Sequence, residues 1–330
     1  MALQLYNPFE NLYFNDNTCF LTGIDLQHSE DTITVFPEWI MEQYGLANTS
    51  FTMMDNITSV LYKDLKLPCS KKVKEAFHQL DQEIKTAFEG GYESVKVLDS
   101  QRLFLWMGRI VYGVLYKDML LERAKMEKRK LELNISTRLK ERMGLFHLML
   151  QSLVAPIEFS ELKPWSISIV KLKYSKDIFN YHDDTIKLIF SLGMNGFGII
   201  ACLQDNGVIK ESQQDILSKI GETVLHPIQF EELYARFLYA TFLLQYRVNY
   251  KIEEREQALF IEALPIQEER NKSLFGAKDF NMYAQVLADL WSPWGLKKSE
   301  IANFPDEPIS FLEDATTLQL IRPDTIDFPF

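Results

Sequence analysis

The sequence RLFLWMGRIVYGVLYKDMLLER, residues 102–123, is the most continuously apolar stretch of a chain of 330 residues. On a helix its apolar side chains cover nearly the whole circumference, and a helix of that kind is buried inside a core. Arg102, Arg109 and Lys117 interrupt the run well short of the roughly 18 uncharged residues that a membrane span needs. Asp99 or Ser100 is a suitable N-cap residue. The stretch therefore predicts a central buried helix and no membrane insertion.

The net charge of the chain is −11, and its cysteines number three. An acidic chain disfavours non-specific binding of nucleic acid. Three cysteines are too few for a disulfide framework, and the first residues, MALQLYNPFENLYF, lack the basic and then apolar pattern of a secretory signal. These features predict a cytoplasmic protein with reduced thiols.

Helical and strand patterns divide the chain into two parts. Residues 71–88 and 144–154 have helical periodicity, like the central stretch, whereas residues 165–174 alternate as a strand. Residues 186–192 and 197–203 predict a β-hairpin around a four-residue turn, 193–196. We predict an α+β fold with an irregular N-terminus, central buried helices and a C-terminal antiparallel sheet with packed helices. The predicted domains are 1–155 and 160–330, the second with an antiparallel meander.

The strongly basic segment of the chain runs from Glu122 to Arg142. Eight lysines and arginines stand there against four glutamates, a local net charge of +4. One interpretation is a solvated helical face, and the other is contact with an acidic partner or with phosphates. The candidate contact residues are Arg123, Lys125, Lys128, Arg129, Lys130, Arg138, Lys140 and Arg142.

Isolated polar residues give weaker indications. His147 lies in an apolar helical pattern without a second ligand, so we expect it to be buried and hydrogen-bonded. His182-Asp183-Asp184 would suit a hard cation, but we expect a solvated loop before a strand. Glu231-Glu232 is predicted to lie on a helix face. The chain has no GxGxxG, GxxxxGK[ST], HExxH or GxSxG motif, so no cofactor and no small-molecule ligand are predicted.

Three segments follow one another in an informative order. They are Cys19-Phe20-Leu21-Thr22-Gly23, Thr34-Val35-Phe36-Pro37-Glu38-Trp39 and Pro68-Cys69-Ser70-Lys71-Lys72. In order and spacing the chain resembles the HNH-endonuclease-like treble-clef proteins of bacteria, a largely uncharacterised family. In that family two CxxC knuckles hold a structural zinc, and a histidine after a glutamate is the general base beside a catalytic divalent metal. The resemblance implies a treble-clef-like N-terminus.

The chain departs from this family at its chemical positions. Thr22 or Gly23 replaces the second cysteine of the first knuckle, and Lys72 or Val73 replaces that of the second. Thr34 stands where the family has its base. Cys19 and Cys69 alone are too few for a closed zinc site, although His28 and His78 would complete a Cys2His2 set. The expectation is two thiols packed in a core, with no metal and no catalytic residue.

The resulting hypothesis is a non-catalytic interaction or scaffold protein with a degenerate HNH-like fold, acting with a protein partner in a larger assembly. The alternatives are a metal-dependent nuclease that uses other ligands, such as His28, His78 or His182, and a nucleic-acid binder that contacts phosphates through Arg123 to Arg142. Phosphate contacts would make binding strongly dependent on salt.

Overall fold

The computed structural model describes residues 5–27, 31–175, 177–266 and 273–329. Its α-helices are α1 (Glu38–Gln43), α2 (Lys71–Glu89), α3 (Tyr92–Lys96), α4 (Ser100–Lys128), α5 (Thr137–Leu150), α6 (Val208–Ser212), α7 (Gln214–Ile220), α8 (Pro227–Leu243), α9 (Phe280–Leu290) and α10 (Lys298–Ile301). Its strands are β1 (Thr32–Thr34), β2 (Ser50–Thr52), β3 (Ser59–Leu61), β4 (Lys66–Pro68), β5 (Ile157–Phe159), β6 (Ser166–Lys171), β7 (Asn180–Asp184), β8 (Ile189–Met194), β9 (Phe197–Cys202), β10 (Asn249–Glu254) and β11 (Leu259–Leu264). The predicted α+β fold class is confirmed.

The chain divides into two compact units. Unit 1 comprises Met1–Glu89, Leu98–Ser160 and Lys251–Glu262. Unit 2 comprises Gly90–Val97, Glu161–Tyr250 and Ala263–Phe330. Lys251–Glu262 belongs to unit 1 because β11 pairs in parallel with β5, in the register Leu259 to Ile157.

Helix α4 is the centre of unit 1. The carboxylate of Asp99 caps it by accepting hydrogen bonds from the backbone N–H groups of Gln101 and Arg102. From Leu103 to Tyr116 every side chain is buried, as a helix apolar on all sides requires. A Cβ atom at Gly113 would lie 2.9 Å from Cγ1 of Val35, so a glycine there allows the close approach of that neighbour. The predicted central buried helix is confirmed.

Short strands and two helices form the N-terminal part of unit 1. Strand β1 pairs antiparallel with β4, with Thr34 opposite Lys66. Helix α1 follows β1 after Pro37, and α2 follows β4 after Cys69. These connections bring the beginning of α2 close to the residues that precede β1.

Unit 2 contains an antiparallel sheet of four strands in the order β6-β9-β8-β7. The β8–β9 hairpin has a two-residue turn, Asn195-Gly196, rather than the predicted four-residue turn, because Gly193 and Met194 still pair within the sheet. Both turn residues have positive φ angles, 44° and 83°, which match the right-handed twist of a hairpin. Helix α8 packs on this sheet, where Phe230 lies against Gly198. No helix among the described residues is long and apolar enough to cross a membrane.

Candidate functional site

Cys19 and Cys69 come together although 49 residues of sequence lie between them. Cys19 begins a tight turn in which the N–H of Gly23 donates to its carbonyl oxygen at 2.9 Å. The N–H of Phe20 donates to the carbonyl oxygen of Pro68 at 2.8 Å, which joins this turn to the end of β4. Cys69 is the residue directly after β4, two positions before the first residue of α2. The turn and the beginning of the helix therefore place both thiols side by side.

Aromatic packing fixes the turn that carries Cys19. The ring of Phe20 lies 6.1 Å from those of Phe77 and Tyr112, so it contacts both α2 and α4. The carbonyl oxygen of Phe20 accepts a hydrogen bond from Nε2 of His147 at 2.9 Å, and Gln151 lies 3.3 Å from Nδ1 of the same ring. Burial lowers the pKa of His147 to about 4. His147 is therefore a neutral, buried and hydrogen-bonded histidine, as predicted.

The two thiols form a buried, hydrogen-bonded pair. Exposure is 0% for Cys19 and 1% for Cys69. The hydrogen bond from Cys69 lowers the pKa of Cys19, and groups of Ser70 and Thr22 contribute in the same direction. The same hydrogen bond, together with burial, raises the pKa of Cys69. Because both sulfur atoms are shielded from water, this pair is a poor nucleophile towards groups in solution.

The donor set around this pair does not fit a structural zinc ion. The hydroxyl groups of Thr22 and Ser70 lie beside Cys19, and hydroxyl groups are not among the thiolate, imidazole and carboxylate ligands that zinc takes in proteins. The side chain of Lys72 is not a zinc ligand either, since its ammonium group donates to the carbonyl oxygen of Val154 at 3.2 Å. Val73 is fully buried and has no ligand atom. A structural zinc ion takes four ligands, and the two thiols supply only two of them.

The structure does not bring His78 to the cysteine pair. His78 lies on the exposed face of α2, whereas Cys69 is buried, and His28 lies outside the described residues. Across the described ranges, no group of three or more histidine, cysteine, aspartate or glutamate side chains is arranged to hold a metal ion. Thr34 lies on β1 opposite Lys66, and a threonine hydroxyl is no base near neutral pH.

The basic segment divides into paired and exposed cations. Arg123 donates to Glu127 at 2.8 Å and to the carbonyl oxygen of Phe14 at 2.6 Å, and Lys125 pairs with Asp55 at 2.8 Å. Lys140 and Arg142 are half-buried on α5. The exposed cations are Lys128, Arg129, Lys130 and Arg138. The end of α4 and the connection to α5 therefore form the accessible part of the predicted contact surface.

The partner of Arg109 was not predictable from the sequence. This side chain has no exposed surface, and its two terminal nitrogens donate to the carboxylate of Asp81 at 3.0 and 2.9 Å. Its guanidinium carbon lies 4.9 Å from the ring centre of Phe77. Asp81 lies in the apolar stripe of α2, eight residues after Val73. An acidic residue within an apolar stripe was the feature of the sequence that could have indicated a buried charge pair.

Comparison with known proteins adds no family to this description: neither a protein-family model, nor a curated protein, nor a solved structure matches the chain. The geometry of the site offers a shielded thiol pair in a tightly packed aromatic core, and an exposed basic surface on the same unit.

Proposed function

We propose that this chain is a non-catalytic protein-interaction component of a larger assembly, built on a degenerate HNH-like, treble-clef-like module that folds without zinc. The thiol pair is the observation that carries the proposal. Of the positions that match the four zinc ligands of the family, only Cys19 and Cys69 keep a ligand atom that zinc takes, and Thr34 stands at the position of the base. The surrounding aromatic side chains are nevertheless buried and in contact with one another. The module would thus keep its packing without the groups that the reaction needs.

A groove of unit 1 supports the interaction part of the proposal. It has a volume of about 500 Å³ and is lined by Tyr13, Met126 and Leu131 among other residues. Half of Tyr13 and 57% of Leu131 are exposed, so the groove presents apolar surface to a partner. The exposed cations Lys128 and Lys130 lie directly before Leu131. The groove itself carries both signs of charge, with Glu10, Glu127 and Glu132 beside Arg123 and Lys140. A protein segment with one apolar anchor side chain and flanking charges of both signs would complement it.

The first test concerns zinc. We expect the protein purified without chelators to contain no stoichiometric zinc by elemental mass spectrometry, and its thermal unfolding to be unchanged by EDTA. Combined Cys19→Ser and Cys69→Ser substitutions should leave the fold intact by circular dichroism, because no metal depends on the thiols. A structural zinc site contributes on the order of 10 kcal/mol to folding, so its loss would be obvious. One zinc per chain, with unfolding on chelation, would contradict the proposal.

The second test concerns the basic surface. Native mass spectrometry of the untagged protein purified from its own cells should show the mass of the chain together with a protein partner. We expect Lys128→Glu with Lys130→Glu to weaken the complex about tenfold, because two charges near the groove are reversed. Lys66→Glu with Lys71→Glu is the matched control, since it changes the net charge equally at two exposed lysines of the same unit. Equal loss of the partner in both variants would argue against this surface.

A further inference from the structure

Unit 2 contains a cavity of about 560 Å³ between the edge strand β7 and helices α8 and α9. Its wall includes the aromatic side chains Tyr174, Phe179 and Trp294 and the acidic side chains Glu231 and Asp289. No lysine or arginine belongs to the part of its wall that the structure describes. The cavity therefore combines aromatic surface with negative charge.

Strand β7 and helix α8 place the polar groups of this cavity. Asn180 and His182 are two residues apart on β7, so both point to the same face of the sheet. There the amide of Asn180 donates to Oε1 of Glu231, and Nε2 of His182 lies 3.1 Å from Oε2 of the same carboxylate. A Cβ atom at Gly193 would lie 2.8 Å from Cε2 of Tyr174, so this glycine leaves room for the tyrosine ring. The prediction of a solvated loop at His182 is wrong, because these residues form a half-buried strand.

Glu231 is the chemically unusual member of the cavity. Only 3% of its side chain is exposed, whereas 34% of the His182 side chain is exposed. A carboxylate removed from water needs a cation or several hydrogen-bond donors. His182 supplies that cation when its imidazole is protonated, so the charge beside Glu231 depends on the pH. Glu231-Glu232 lies on a helix, as predicted, but this face of the helix is buried, and the two residues are 2% and 1% exposed.

We propose that this cavity binds an organic cation with an alkylated ammonium group, which pairs with Glu231 and packs on the aromatic side chains. Aromatic rings attract cations through the negative charge of their faces, and quaternary ammonium ligands are held by aromatic cages in this way. Anions are disfavoured, because Glu231 and Asp289 repel them and the described wall offers no lysine or arginine. A bare metal ion would need more ligand groups than the described residues assemble.

His182 competes with this ligand for Glu231. The titratable groups around the imidazole are Glu231, Tyr234, Asp183, Tyr174 and Asp289. Burial disfavours the imidazolium form, but the carboxylate of Glu231 and then that of Asp183 outweigh burial and raise the pKa of His182. Loss of the proton at higher pH leaves Glu231 without a cationic partner. The affinity for an organic cation should therefore rise as the pH increases through the pKa of His182.

The test compares choline with its uncharged carbon isostere, 3,3-dimethylbutan-1-ol, by isothermal titration calorimetry on the full chain. We expect choline to bind at least about tenfold more tightly, because only choline carries the charge that Glu231 and the rings attract. Glu231→Gln should abolish this difference, and Trp294→Leu should weaken choline binding about two- to thirtyfold. Choline should also bind more tightly at a pH above the pKa of His182 than at a pH below it.

Glu232→Gln is the matched control for Glu231→Gln. Glu232 is the next residue on α8 and equally buried, but it does not line this cavity. Its carboxylate accepts hydrogen bonds from the backbone of Phe311 and Leu312 and pairs with Arg236 at 3.0 Å. Glu232→Gln should leave choline affinity unchanged. Asp289 is exposed, so Asp289→Asn should fold and can replace Glu231→Gln in the test if that variant unfolds. Asp289→Asn should weaken choline binding severalfold. Equal affinity for the two probes, or no choline binding at millimolar concentration, would overturn the proposal.

Discussion

Asp81→Asn is expected to lower the free energy of unfolding of unit 1 by about 3–5 kcal/mol, because it leaves the guanidinium of Arg109 buried and unpaired. Arg109 has no exposed surface, and its Nε atom already lacks a hydrogen-bond partner in the described structure. An asparagine keeps the size of the side chain but removes the compensating charge. Hydrogen exchange of α2 and α4 amides, followed in urea by mass spectrometry, measures the loss within unit 1.

A second ion pair between the same two helices provides the control. Arg102 donates to Glu83 at 2.6 Å, but these side chains are 33% and 41% exposed. Glu83→Gln should therefore cost less than about 1 kcal/mol. Arg109→Met combined with Asp81→Leu should recover most of the loss, since no buried charge then remains. A cost for Asp81→Asn no larger than that for Glu83→Gln would show that water reaches Arg109.

Local patterns were sufficient to predict several elements of this fold. The apolar run from residue 102 to residue 123 predicted α4 because its composition leaves no polar face, and Asp99 marked its beginning. The hairpin around Asn195-Gly196 followed from strand alternation and turn residues. The predicted turn was too long. Gly193 suggested that the strand ends there, but strand pairing continues through Met194.

Contacts between distant residues were not predictable in the same way. Asp81 and Arg109 belong to different helices, and nothing in either helical pattern indicates that their charges meet. Glu231 is followed by another glutamate, which is typical of a solvated surface, yet α8 is covered on nearly all sides by the sheet and the C-terminal segments. Gly90–Val97 belongs to unit 2 and Lys251–Glu262 to unit 1, and this assignment depends on tertiary contacts alone. The resemblance to HNH-like proteins stays a prediction, because no comparison tests it.

Acid is expected to destabilise unit 1 through His147. The pKa of His147 in the folded chain is about 4, against an ordinary value near 6.5, because burial disfavours the imidazolium form. A lowered pKa means that the folded state binds the proton less readily than the unfolded state does. The stabilising contribution of neutral His147 is therefore complete above about pH 6.5 and is lost as the pH falls towards 4.

The expected loss is about 2 kcal/mol at pH 5 and about 3 kcal/mol below pH 4, which follows from the separation of the two pKa values. The wild-type curve alone does not isolate this effect. Burial raises the pKa of Asp118 and of Asp205 to about 6, so these two carboxyl groups favour the folded state as the pH falls through the same range. His147→Gln keeps hydrogen-bonding groups for Phe20 and Gln151 but does not titrate. Urea unfolding of both proteins from pH 7 to 4 should therefore give a difference curve with the slope of one histidine. A flat difference curve would mean that His147 takes up its proton without leaving the core.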